Sequence, residues 1–111
     1  MNTREFSSKQ ESRVAKLLNG KKVANSGATK FNKGDVRTDR FLIECKTATS
    51  EKSSFSIKKE WLKKNKEEAF ESGLRYSALA IDFGGDEDYF VIDSKLMKEL
   101  VELLDNQEFR G

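Results

Sequence analysis

The run Phe41-Leu42-Ile43-Glu44-Cys45-Lys46 constrains this chain more than any other stretch. Its aromatic and branched apolar residues suit a pleated, half-buried strand. Successive side chains of a strand point to opposite faces. Ile43 and Cys45 therefore share one face, fit for a core, while Glu44 and Lys46 share the other. A carboxylate and an ammonium are thus held side by side on a rigid element. Asp35-Val36-Arg37 reads as a partner arm, with a turn near Thr38-Asp39-Arg40, so Asp35 to Lys46 is expected to form a β-hairpin.

Helical and strand periods alternate through the rest of the chain. Thr3 to Asn19 is expected as a helix, because Phe6, Val14, Leu17 and Leu18 recur at helical spacing and Gly20 offers a stop. Lys21 to Ala24 is a candidate first strand. Asn25-Ser26-Gly27 through Asn32-Lys33-Gly34 is rich in turn formers and reads as a loop. Thr47 to Ser54 is polar and reads as another. Ser54 or Ser56 is the expected cap of a second helix running to about Ser72, with Ile57, Trp61, Leu62, Ala69 and Phe70 on its apolar face and Gly73 ending it. Tyr76 to Phe83 is an apolar strand, Gly84-Gly85-Asp86 a turn, and Asp88 to Ile92 a final strand. Asp93 or Ser94 then caps a helix carrying Leu96, Met97, Leu100, Val101 and Leu104, and Asn106 to Gly111 is expected as a loose tail. The predicted order, α-β-β-β-α-β-β-α, implies one α/β domain spanning residues 1–111, with a mixed sheet and packed helices.

Composition removes whole classes of chemistry. The chain has no histidine and one cysteine, Cys45. No internal disulfide can form, and zinc sites built from Cys and His are excluded, as are Ser-His-Asp and Cys-His nucleophile systems. Catalysis would fall to carboxylates, lysines, hydroxyls and a hard cation with oxygen ligands. The apolar runs are too short to span a bilayer, and no apolar segment of a secretory signal follows the N-terminus. A cytoplasmic protein without membrane partners is expected, including a phage protein in a host. The net charge of +2 is unevenly spread: residues 1–81 carry 18 Lys and Arg against 10 Asp and Glu, and residues 82–111 carry 3 against 9. A basic body with an acidic end fits a polyanion-binding surface over part of the molecule.

Antiparallel pairing of the hairpin is expected to bring Asp35 close to Glu44. Two facing carboxylates repel unless a cation or proton lies between them. A divalent metal, Mg²⁺ with Mn²⁺ as a substitute, resolves this with Asp35, Glu44 and the main-chain carbonyl of Cys45 as ligands. Glu11 lies three residues before Val14 and seven before Leu18, so it shares the apolar stripe of the first helix, where it can reach the metal directly or through water. Lys46 is the group expected to orient an attacking water or to stabilise charge on a phosphodiester. Each member alone has an ordinary explanation: a solvated cross-strand pair for Glu44 and Lys46, a surface glutamate for Glu11, a turn residue for Asp35. The ordered set of catalytic candidates, Glu11, Asp35, Glu44 and Lys46, carries the reading. A rival set, Asp82 with Asp93-Ser94-Lys95, is discounted because Asp93 or Ser94 is explained as a helix cap.

These residues resemble the PD-(D/E)XK nuclease superfamily, and within it the archaeal-type Holliday-junction resolvases and related phage nucleases. The resemblance rests on Glu11-Ser12-Arg13-Val14-Ala15-Lys16-Leu17-Leu18, the loop Asn25-Ser26-Gly27, Gly34-Asp35, and Ile43-Glu44-Cys45-Lys46, and covers roughly Arg4 to Ile92. Gly34 stands where the family's nominal motif has Pro, and the second helix shows no glutamine in the usual place, with Lys58 or Lys59 as possible substitutes. The resemblance implies a restriction-endonuclease-like core with a mixed four- or five-stranded sheet, a Mg²⁺-dependent endodeoxyribonuclease leaving a 5′-phosphate and a 3′-hydroxyl, a homodimer, branched four-way DNA as substrate, and roles in recombination and repair.

Ser26, Lys30, Lys33, Lys52, Lys58, Lys59 and Lys63 flank the hairpin and are the expected DNA-binding residues. Phosphate contacts of this kind give affinity without reading sequence. A lysine-rich solvent face is the plain alternative for the second helix. Trp61 is expected in the core more than on a base, being four residues from Ile57. Two other functions stay open: a nicking, repair or restriction-type nuclease of the same superfamily, and a non-catalytic DNA-binding module with the nuclease fold.

Overall fold

A computed structural model describes residues 3–23 and 35–108. The elements follow the predicted order: α1 (Thr3–Leu18), β1 (Lys21–Lys22), β2 (Val36–Arg37), β3 (Phe41–Thr47), α2 (Lys59–Glu71), β4 (Tyr76–Asp82), β5 (Asp88–Val91) and α3 (Ser94–Glu108). The fold is α/β, with a five-stranded mixed sheet in the order β1-β2-β3-β4-β5. Only β3 and β4 run parallel, with Ile43 opposite Ala78 and Lys46 opposite Ile81. Their connection passes through α2, as a parallel crossover requires. Among the described residues no helix is long and apolar enough to cross a membrane.

β3 and β4 are covered on both faces, which explains their nearly unbroken apolar character. On one face Val14 of α1 packs with Val36, Ile43, Ala78 and Ala80. The alanines of β4 let the helix approach closely. On the other face Ala69 of α2 packs with Leu42 and Leu74. Each helix also sends one buried amide into the sheet. Gln10 donates to the carbonyls of Lys46 and Ala80, both at 3.1 Å. Asn65 donates to the carbonyls of Leu42 at 3.2 Å and Ala78 at 3.1 Å. The two amides pin the same pair of strands from opposite helices. These bonds satisfy the amide nitrogens, while Gln10 Oε1 and Asn65 Oδ1 are buried without a hydrogen-bond partner.

Several sequence expectations change. The cap of α2 is Lys58, in extended conformation and without a side-chain cap bond, not Ser54 or Ser56. Phe70 is 82% exposed, and the buried face of α2 is Asn65, Glu68 and Ala69. The left-handed residue after α1 is Asn19, with φ 55°. Gly20 is required for space instead, because an added Cβ would lie 2.7 Å from the carbonyl oxygen of Arg37. On α1 the inward residues are Gln10 and Val14, while Leu17 and Leu18 are exposed. The expected tail at Asn106 is still helical, since α3 continues to Glu108. Asp93 caps α3 through its carboxylate, which accepts the Leu96 N–H at 2.9 Å. Of the apolar residues on α3, Leu96 is buried, whereas Met97, Val101, Leu103 and Leu104 are exposed.

Candidate active site

The hairpin carries the site, but its two arms do not meet in simple register. Val36 opposes Ile43 and Arg37 opposes Leu42. The N–H of Asp35 donates to the same Ile43, at 3.0 Å from its carbonyl oxygen. Two residues of the first arm thus stand against one of the second, which is the arrangement of a β-bulge. Asp35 is set at the open end of β2, and its Oδ2 accepts the N–H of Cys45 at 2.9 Å. The N–H and C=O of one strand residue face the same neighbour. The Cys45 carbonyl is therefore aimed toward the side on which Asp35 lies.

Glu44 and Lys46 share the α2 face, as strand alternation predicts. The Lys46 ammonium lies 3.3 Å from Glu44 Oε2. Glu44 is buried, with 8% of its surface exposed, but it is paired and does not point unpartnered into the core. The same ammonium sits over the Trp61 ring, 4.3 Å from its centroid, and the Lys58 ammonium lies 5.9 Å from that centroid. Trp61 is half-buried beside the catalytic candidates, not in the core where its spacing from Ile57 had placed it.

Glu11 lies on α1, one residue beyond the buried Gln10, and is half-buried. Burial raises its carboxyl above the ordinary range, and Lys22 pulls it back. Asp35 is more strongly affected. Burial pushes its pKa up to about 7; the Cys45 N–H opposes this, Glu11 and Glu44 add to it, and Lys46 lowers it. The other three candidates therefore all act on this one carboxyl. Glu11 approaches from the α1 side and Glu44 and Lys46 belong to the α2 face, so Asp35 marks the seam between the two faces. Among the described residues no group of three or more Asp, Glu or Cys side chains is gathered tightly enough to hold one metal ion. The acids share a field without forming a closed ligand cage. The Cys45 thiol is pushed well up by burial and by the charges of Asp35 and Glu11, which disfavours the thiolate.

A second cluster escaped the sequence reading. Arg13, two residues beyond Glu11 on α1, donates from Nε to Asp88 Oδ2 at 2.7 Å, and from Nη2 to Asp88 Oδ1 at 2.9 Å and Asp82 Oδ2 at 3.0 Å. Thr47 also donates to Asp82, and Gln10 to Asp88. This latch ties α1 to the ends of β3, β4 and β5, and so fixes the helix that presents Glu11. Its partners are distant in sequence, and Asp82 had entered only as part of the rival set. Only its pairing with a buried-face helix, visible once Gln10 and Val14 are known to point inward, exposes it.

Of the expected DNA-binding residues, Ser26, Lys30 and Lys33 lie outside the described residues. Lys52, Lys58, Lys59 and Lys63 are all exposed. Lys59 and Lys63 line a cleft of about 280 Å³ whose other walls include Leu62, Asn65, Ala78 and Ile92. The cleft contains none of the four catalytic candidates. Comparison with known proteins finds no family model, no curated protein and no solved structure that matches this chain.

Proposed function

We propose that this chain is a metal-dependent DNA endonuclease of the PD-(D/E)XK kind, with a restriction-endonuclease-like core and a preference for branched four-way junctions. One arrangement carries the reading: a half-buried aspartate, Asp35, is held at the open end of the hairpin by the Cys45 N–H, while Lys46 pairs with Glu44 on the adjoining strand; burial and the charges of Glu11 and Glu44 disfavour ionisation of Asp35. Acids that disfavour one another's charge in this way would be relieved by a cation. The donors are all oxygens, which favours a hard divalent ion such as Mg²⁺, with Mn²⁺ as a substitute. Asp35, Glu44 and the Cys45 carbonyl would hold it, with Glu11 direct or through water. Bound there, the ion supplies neutralisation of phosphodiester charge and a more acidic water.

The chain's own residues do the rest. The Cys45 N–H holds Asp35 in place through Oδ2. The Lys46 ammonium, braced by Glu44, is a fixed positive charge for an attacking oxygen or a developing phosphorane. Lys52, Lys58, Lys59 and Lys63 offer backbone-phosphate contacts on the exposed surface after β3. Pairing of two copies belongs to the same reading, and the uncovered apolar residues of α3 are its candidate contact; light scattering of the protein at micromolar concentration tests it.

The test is a cleavage assay with Mg²⁺ on a four-way junction, a flap, linear duplex and single-stranded DNA. Symmetric cutting confined to the junction is expected, with full loss in excess chelator. Equal cutting of linear duplex moves the assignment to a restriction-type nuclease, and cutting undiminished by chelator removes the metal.

A further inference from the structure

We infer that Trp61 is a positioning residue for Lys46: its indole face and the Glu44 carboxylate together hold the ammonium at a fixed point on the α2 face of β3. This inference rests on the nuclease reading for its catalytic consequence, but not for the contact itself. The Lys46 Nζ lies 3.3 Å from Glu44 Oε2 and 4.3 Å from the Trp61 centroid. A lysine on a four-carbon stem is otherwise mobile, and its charge is placed only by what it touches. If Glu44 also turns an oxygen to a cation, its hold on the ammonium is shared and weakened. The ring remains. A cation within about 6 Å of an aromatic centroid is attracted to the face of the ring, most strongly for tryptophan.

The setting of Trp61 supports a dedicated role. It lies in the first turn of α2, whose N-cap, Lys58, makes no side-chain cap bond. Its main-chain N–H donates to the Lys58 carbonyl at 3.0 Å, so the ring is carried by a hydrogen-bonded turn. Further along the same helix Asn65 anchors α2 to β3 and β4 through the carbonyls of Leu42 and Ala78. The indole is thus fixed relative to the strand that bears Lys46. Trp61 is half-buried and belongs to neither buried apolar cluster. The Lys58 ammonium, at 5.9 Å, is a weaker second cation that contributes less to the ring's surroundings.

The chain has one tryptophan, so its fluorescence reports on this contact directly. The first measurement compares the emission of the full-length protein with that of Lys46→Met, Lys46→Arg and Lys58→Met, without metal or DNA. Lys46→Met is expected to shift the emission maximum and change the yield, Lys46→Arg to stay near wild type, and Lys58→Met to have a smaller effect. Unchanged emission in Lys46→Met overturns the contact. The second measurement takes Trp61→Phe and Trp61→Leu through Mg²⁺-dependent cleavage, with folding checked by circular dichroism. Trp61→Leu is expected to lose roughly tenfold in kcat with little change in KM, and Trp61→Phe to recover most of it. Equal losses in the two variants mean that the residue only packs, and a change in KM alone means that it binds DNA; either overturns the inference. If the wild-type chain cuts no DNA, the nuclease reading falls, and the emission measurement still decides whether the ring holds the lysine.

Discussion

Two groups of carboxylates sit on this sheet, and they are treated in opposite ways. Asp82 and Asp88 are saturated with donors. Asp82 accepts from Arg13, Thr47 and the Gly84 N–H, and Asp88 accepts twice from Arg13 and once from Gln10. Arg13 is held firmly protonated, chiefly by its hydrogen bond to Asp88 and against the cost of its burial. Around Asp35 the supply is thinner: Asp35 accepts the Cys45 N–H, Glu44 pairs with the Lys46 ammonium, and Glu11 feels Lys22 from a distance. The first group is finished as folded. The second has fewer donors per carboxylate, and on the proposed reading a cation completes it.

The sharpest way to break this contrast is catalytic. Asp35→Asn and Glu44→Gln are each expected to lower Mg²⁺-dependent cleavage by at least about a thousandfold, while gel-shift binding to a four-way junction persists. Wild-type cutting by either variant would place the site elsewhere. Asp82→Asn and Asp88→Asn are expected to keep cleavage in whatever fraction of molecules stays folded.

Stability should separate the two groups by sign. Removing Arg13 leaves two buried carboxylates without their cation, so Arg13→Met is expected to cost roughly 2 to 4 kcal/mol in urea denaturation. Asp35→Asn should instead stabilise the metal-free protein at neutral pH, because it removes a charge that burial and Glu11 disfavour. The two substitutions are similar in scale and opposite in outcome only if the first cluster is latched and the second is short of a cation.

The pH dependence follows from the same asymmetry. Asp35 has a folded pKa of about 7 against an ordinary 3.8. The folded state therefore binds more protons than the unfolded chain between those values. Its contribution is fully present below about 3.8 and is lost as pH rises through about 7. Metal-free protein is expected to melt several degrees lower at pH 8 than at pH 5.5, by roughly 5 °C. Asp35→Asn should flatten that slope, and added Mg²⁺ should raise the melting temperature more at pH 8 than at pH 5.5. An equal response at both pH values would remove Asp35 from the cation.

What the sequence showed, and what it hid, follows the range of the forces. The Asp35 to Lys46 hairpin was legible because strand alternation is local, and it correctly set Glu44 with Lys46. Asp93 was legible as a cap for the same reason. The bulge at Asp35 was not, because the extra residue appears only when both arms are aligned in space. Gln10 and Asn65 read as ordinary polar helix residues, and only strand carbonyls many residues away explain their burial. Arg13 with Asp82 and Asp88 joins segments about seventy residues apart or more, a pairing that no local pattern encodes. Trp61 misled through its spacing from Ile57, which is itself exposed.

The smallest effects should come from the lysines, and they separate the basic body from the acidic end. Lys52, Lys58, Lys59 and Lys63 are exposed on the segment after β3, whereas Lys95 and Lys98 belong to the exposed surface of α3. If phosphates track past the hairpin, Lys59→Ala and Lys63→Ala should each weaken junction binding a few-fold and reduce the slope of log K against log salt by about 1. Lys98→Ala should change neither. Lysines that merely solvate α2 would leave the slope intact, because only a cation that meets a phosphate releases a counterion on binding. Equal slopes for Lys63→Ala and Lys98→Ala would therefore detach the basic surface from the site, while leaving the reading of Asp35, Glu44 and Lys46 to stand on cleavage alone.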